Sequence, residues 1–226
     1  MFAVIFEVQP KADRWQDYLD LAAELRPELL QMPGFIDNER FRSQTTEGRV
    51  LSLSTWQDEK ALIRWRTHAG HHAVQEKGRF AVFKDYHLRV GEIVADSSTP
   101  PDVQLPEQRF DATAVGDAKV VTISEAEPEN AGQGGLPEKE VLGQRLRVPV
   151  IGNGGVVATD TFSGITKQGK ILLLVSWRDA AATAAWQPPA VLEGIGPVRH
   201  RRVRVVRDYS LADRREAPQY YAPVQL

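Results

Sequence analysis

The sequence predicts an α+β fold: two ferredoxin-like β-α-β-β-α-β units packed sheet to sheet as an intrachain pseudo-dimeric α+β barrel. The first observation behind this is an internal repeat. Gly34, Phe41, Gly48, Trp56, Asp58, Ala61 and Trp65 reappear as Gly155, Phe162, Gly169, Trp177, Asp179, Ala182 and Trp186, every pair 121 residues apart. Thr45/Thr166, Leu51/Leu172 and Leu53/Leu174 keep that register, and Asp85-Tyr86 with Leu88 recur as Asp208-Tyr209 with Leu211, now 123 apart. A gap-free offset across a strand–turn–strand–helix segment marks a tandem duplication. The second observation is the order of periodicities within a copy: alternating, helical, alternating twice, helical, alternating. The third is that such a unit covers one sheet face with helices and leaves the other apolar face bare, which two copies bury against each other.

In the first copy, Phe2 to Val8 alternates as a strand with both faces largely apolar. Asp13 is placed to cap a helix whose apolar positions Trp15, Tyr18, Leu19, Ala22, Leu25 and Leu29 follow the helical period, with Pro27 expected to shorten or kink it. Met32-Pro33-Gly34 breaks the chain. Phe35 to Arg42 and Arg49 to Trp56 read as a hairpin across the polar turn from Ser43 to Gly48. Asp58 caps a second helix through Trp65 that extends toward Glu76, and a last strand runs from about Phe83 to Val94.

The boundaries follow: residues 1–95 the histidine-bearing copy, 96–117 a linker containing Ser-Ser-Thr-Pro-Pro, 118–212 a degenerate copy, 213–226 a polar tail that wraps or dangles. The second copy restarts at Lys119-Val120-Val121-Thr122-Ile123. Ala131-Gly132-Gln133-Gly134-Gly135 is hostile to helix, so its first helix shrinks to Pro137 through Leu146. Ile171 to Val175 is apolar on both faces, and the last strand is expected over Arg202 to Tyr209. The six basic residues between Arg199 and Arg207, counting His200, read as a solvated strand face.

Composition narrows the function classes. With 28 basic and 30 acidic side chains the net charge is −2, so no strong field favours nucleic acid or an anionic membrane surface. The absence of cysteine excludes disulfides, thiolate metal sites and cysteine nucleophiles. The chain opens directly as a strand, and no apolar run reaches bilayer length. A cytoplasmic protein with no membrane or nucleic-acid partner is expected.

The string Trp56-Gln-Asp-Glu-Lys-Ala61-Leu62-x-x-Trp65-Arg66-x-His68-x-x-His71, then Gln75-x-x-Gly78-Arg79 and Asp85-Tyr86, resembles the antibiotic biosynthesis monooxygenase (ABM) domain of the dimeric α+β barrel superfamily. The resemblance covers nearly all of residues 1 to 95 and, more weakly, 118 to 212. It implies the barrel and a range of activities: cofactor-free oxygenation of aromatic polyketides, quinol oxidation, haem degradation. Fold analogy does not choose among them.

The residues narrow the choice. On one continuous helix, Trp65, His68 and His72 would form a stripe with Ala61, and His71 would lie to the side; Gly70 is a candidate for ending that helix. Haem-degrading relatives carry an asparagine in the first strand, a helix tryptophan and a histidine about ten residues later. Trp65 matches, but Gln75 stands ten residues on and the first strand has Glu7 and no asparagine. No acidic or histidine partner with convincing spacing supports a metal site. A cofactor-free oxygenase needs only an apolar cavity, a base and hydrogen bonds to an oxyanion. Phe6, Trp65, His71, Phe83 and Tyr86 are the candidate substrate-binding residues, and His68 or His72 the candidate base. The second copy reads Trp186-Gln-Pro188-Pro189 where the first has its histidines, so a site belongs to the first copy. The expected function is monooxygenation of a small aromatic or quinol-like molecule without tightly bound metal or flavin. The rival is a non-catalytic ligand-binding or structural barrel, and a haem protein stands third. Further pairing of two chains is open.

Overall fold

The computed structural model describes residues 1–100, 105–128 and 139–219. The first half contains β1 (Phe2–Pro10), α1 (Trp15–Leu30), β2 (Phe35–Ser43), β3 (Val50–Trp56), α2 (Glu59–Thr67), α3 (Ala69–Lys77) and β4 (Phe83–Asp96). The second contains β5 (Val120–Ala126), α4 (Lys139–Arg145), β6 (Val156–Gly164), β7 (Ile171–Trp177), α5 (Ala180–Ala184), β8 (Val191–Leu192) and β9 (Gly196–Ser210).

All pairings are antiparallel. The strands run β4-β1-β3-β2 in one half and β6-β7-β5-β9 in the other. Two seams join them: a short one from Phe41↔Gly164 to Ser43↔Phe162, and a long one from His87↔Ser210 to Asp96↔Arg201. The eight strands therefore close into a barrel with no free sheet edge, and β8 pairs with β9 outside that ring. Ile5, Phe41, Leu51, Ile123, Phe162 and Leu172 fill its interior, drawn from both halves. The alternate residues Phe2, Val8 and Val50 face the helices. Closure explains why β7 is buried along its whole length.

The repeated small and acidic residues hold the same joint in each half. Asp58 Oδ1 accepts from the Ala61 N–H at 2.7 Å, and Asp179 Oδ1 from the Ala182 N–H at 2.8 Å, each as an N-cap. Gly34 (φ +84°) and Gly155 (φ +80°) carry the preceding turn in the left-handed region. A Cβ on Gly34 would stand 2.6 Å from that of Ala61, and one on Gly155 2.4 Å from that of Ala182.

Several expectations are corrected. Asp13 does not cap α1: it lies in a single 3-10 turn, and α1 begins at Trp15 without a side-chain cap. Pro27 does not end α1, which continues to Leu30. The second helix breaks at His68 (ψ 130°), not at Gly70, which sits in the first turn of α3. The last strand starts at Gly196, and its basic run is not a solvated face: Arg201 is buried against Glu125, Arg199 pairs with Asp96, and Arg204 pairs with Glu92. The seams bring carboxylates opposite these arginines, which one strand's alternation cannot reveal. The Ala131–Gly135 segment and the start of the Pro137 helix fall outside the described residues. The tail wraps as far as it is described, with Glu216 accepting from the Thr113 hydroxyl at 2.6 Å and the Asp208 N–H at 2.7 Å. Among the described residues, no helix is long and apolar enough to cross a membrane.

Candidate active site

A cavity of about 830 Å³ lies between the outer face of the first-half sheet and α1, α2 and α3. Phe6 of β1, Ser52 of β3, Arg40 of β2 and Leu88 of β4 form its floor, while Tyr18, Trp65, His71 and His72 close it from the helices. Alternation sends Phe6 outward while Ile5 fills the barrel. Phe83 and Tyr86 complete an aromatic wall: Phe6 packs at 5.8 Å from each ring, and Tyr18 meets Phe83 nearly edge-on at 6.4 Å. Tyr209 of β9 and Arg214, Ala217 and Pro218 of the tail close the far end, so the second half supplies part of the wall.

The break at His68 decides which histidine enters. It reorients α3 so that His71 stacks on the Trp65 indole, ring centroids 4.3 Å apart and 13° from parallel. The Trp65 carbonyl accepts from the His68 N–H at 3.2 Å and from His71 Nδ1 at 2.9 Å. A carbonyl only accepts, so Nδ1 carries the proton and Nε2 keeps its lone pair. Burial pushes the His71 imidazole down to about 4, against the opposing effect of its bond to Trp65. His71 is therefore neutral at physiological pH. His72 lines the cavity beside it, with Nε2 3.9 Å from Glu76 Oε1. His68 does not line it; its Nδ1 stands 3.3 Å from Glu28 Oε2 of α1. Of the sequence candidates, Phe6, Trp65, His71, His72, Phe83 and Tyr86 come together and His68 stays outside.

Sequence reasoning missed Tyr18, Arg40, Arg66, Arg79, Tyr209 and Arg214, all on the cavity wall. Arg66 and Arg79 stood within the motif string, and nothing in the sequence marked Arg214. The expected equivalence of Asp85-Tyr86 with Asp208-Tyr209 is corrected: Tyr86 lies opposite Val8 and its counterpart opposite Ala126 is Val198, while Tyr209 pairs across the long seam with Leu88. Burial raises the Tyr209 phenol to about 12 and raises that of Tyr86, so both stay protonated. Arg214 donates to the Tyr86 hydroxyl.

In the second half, the described residues of the corresponding region pack together. Trp186 lies 5.4 Å from Trp177 and donates its indole N–H to the Leu146 carbonyl at 2.9 Å. Leu142, Leu192 and Ile195 fill around them. A second cavity, about 690 Å³, is lined by charged groups including Glu7, His87, Arg89 and Asp208 and contains no aromatic residue apart from His87. Among the described residues, no group of three or more histidine, aspartate or glutamate side chains is placed to hold a metal ion.

Comparison with known proteins bears on the family and the fold. Residues 1–77 match the family model described as antibiotic biosynthesis monooxygenase. A Pyricularia oryzae protein named jasmonate monooxygenase ABM is 40% identical over 227 residues, covering 99% of each chain. YqjZ of Bacillus subtilis is 32% identical over 92 residues, 41% of this chain and 78% of that protein. Among solved structures, aldoxime dehydratase OxdRE in complex with butyraldoxime superposes with a TM-score of 0.54 at 11% identity, over 94% of this chain and 80% of that one. At that identity the likeness concerns the fold alone. With the motif string, the closed barrel and a full-length relative in agreement, the chain belongs to the antibiotic biosynthesis monooxygenase family.

Proposed function

We propose that this protein is a monooxygenase that oxidises a small aromatic or quinol-like substrate in its first-half cavity, using molecular oxygen and no tightly bound metal or flavin. The observation that carries the reading is the cavity: about 830 Å³, walled by Phe6, Tyr18, Trp65, Phe83 and Tyr86, with His71 and His72 on one side. Among the described residues, the second half places Trp186, Leu142, Leu192 and Ile195 on the corresponding side of its sheet, where the first half has an open aromatic-walled space. The repeat leads us to infer that the halves are two copies of one ferredoxin-like unit, of which one keeps a site.

A substrate methylene activated by a neighbouring carbonyl or ring can supply all the electrons. The methylene and O₂ become a carbonyl and water, one oxygen atom going to each product. The protein then supplies a base, a water-poor wall and positive charge where an oxyanion develops. His72 takes the substrate proton and Glu76 stabilises the imidazolium. His71 offers its Nε2 lone pair to a substrate hydroxyl, and Arg40 on the floor faces the oxyanion.

The test is turnover under ¹⁸O₂ with a panel of quinols, anthrone-type ketones and jasmonic acid, the last because of the fungal relative's name. Incorporation of one labelled atom into product by the metal-free, flavin-free protein, lost in His72→Ala, supports the reading. Turnover that appears only with added metal or reduced flavin overturns the cofactor-free part. A saturable, histidine-dependent Soret shift on haemin titration moves the protein to the haem class.

A further inference from the structure

We infer that the substrate carries a carboxylate, and that Arg66, Arg79 and Arg214 form its subsite beside the phenols of Tyr86 and Tyr209. The inference rests on the cavity being the substrate site. The wall of the cavity holds Arg40, Arg66, Arg79, Arg214 and Arg215 against a single carboxylate, Glu76. Arg215 is paired with Asp213. Among the described residues the other four have no carboxylate within ion-pair distance. The Nε atoms of Arg40, Arg66 and Arg79 are buried without a hydrogen-bond partner, as are those of Arg89, Arg201 and Arg204, but the latter three have a terminal guanidinium nitrogen on a carboxylate.

The fully buried guanidinium groups, Arg89 and Arg201, pair with Glu7 and Glu125. Arg40, Arg66 and Arg79 are half-buried and Arg214 is exposed, and the cavity gathers them with Glu76 as its one lining carboxylate. A partly desolvated cation without a counter-charge carries part of the cost of burial, and an arriving anion relieves it. Burial, with Arg207 also contributing, pushes the Arg66 guanidinium below its ordinary value.

Three of the arginines converge. Arg214 donates to the Tyr86 hydroxyl, and Arg79 also acts on that phenol. Arg66 and Arg214 both act on Tyr209, which in turn neighbours Tyr86. The phenols remain protonated, so they supply O–H donors and no negative charge. A planar carboxylate matches the guanidinium fork. Phe6, Phe83 and Leu88 are left to hold an apolar body, so the ligand is an amphipathic acid. Arg40, across the cavity beside Tyr18, stays separate from this subsite.

The test compares each of two acids, jasmonic acid and 2-naphthoic acid, with its own methyl ester, by calorimetry. For at least one pair the acid is expected to bind about tenfold more tightly than the ester, since charge-assisted bonds are worth that much. In Arg66→Gln/Arg79→Gln the ratio should fall to near one while ester affinity holds. Arg79→Gln alone, expected to lower the ratio partway, serves if the double variant does not fold. Equal affinity of acid and ester in the unaltered protein overturns the carboxylate subsite and leaves the cavity reading intact. A preference that survives in the folded variants overturns the assignment to these arginines. If no member of either pair binds, the cavity reading falls and this inference with it.

Discussion

Arg89 and Arg201 stand at the same point of the two halves, each tying its own half's glutamate to the other half's hydroxyl. Arg89 lies opposite Ile5 and Arg201 opposite Ile123. Arg89 pairs with Glu7 and donates to Ser176 Oγ at 2.7 Å; Arg201 pairs with Glu125 at 2.6 Å and donates to Thr55 Oγ1 at 3.2 Å. The first prediction follows from burial. Arg89→Met strands the Glu7 carboxylate and should cost about 3 kcal/mol, because removing one partner leaves an uncompensated charge. Adding Glu7→Gln should restore part of that. Urea unfolding of the single and double variants checks it.

Gly34→Ala should be destabilising by about 2 kcal/mol or more, since it combines a left-handed φ with a Cβ placed 2.6 Å from that of Ala61. Gly155→Ala should lose a similar amount for the same reason. Adding Ala61→Gly should recover the steric share of the Gly34→Ala loss and leave the backbone share, measurable as a partial return of the urea midpoint.

The His71 imidazole titrates near 4 in the fold because burial disfavours its charged form, against about 6.5 when unfolded. Between those values the unfolded chain binds a proton that the folded chain does not. Stability should therefore decline as pH falls from about 6.5 to about 4, by roughly 2–3 kcal/mol from this residue. His71→Phe should flatten that part of the curve. His72→Ala should instead lower kcat about 10²-fold or more with folding intact.

Glu216 clasps the tail against the barrel end, its carboxylate receiving the Thr113 hydroxyl and the N–H groups of Asp208 and Ala114. Burial works to raise its pKa, and those hydrogen bonds more than offset the effect and hold it low. Glu216→Ala should free the segment carrying Arg214, Ala217 and Pro218, raising KM several-fold with a smaller change in kcat. Steady-state kinetics on whichever substrate turns over would separate the two.

The barrel was legible because the signals that specify it are periodic and occur twice. A repeat of Gly34, Asp58 and Ala61 at Gly155, Asp179 and Ala182 encodes one helix–turn joint in duplicate. Most of the cavity's aromatic wall was legible for the same reason: alternation puts Phe6 on the helix side of the sheet. Which histidine turns inward was not, because it depends on one backbone angle at His68, and a helical wheel assumes that the helix continues. The arginines of the wall were invisible for another reason. Arg40, Arg66, Arg79 and Arg214 come from a strand, a helix, a turn and the tail, and only tertiary closure shows that they share a space without partner acids.

The first-half cavity borrows Tyr209 and Arg214 from the second half. Because one backbone joins the two, that wall accompanies every molecule at any dilution. A barrel assembled from separate chains would surrender it whenever the chains parted. Activity per molecule should accordingly stay constant down to the lowest protein concentration at which it can be assayed.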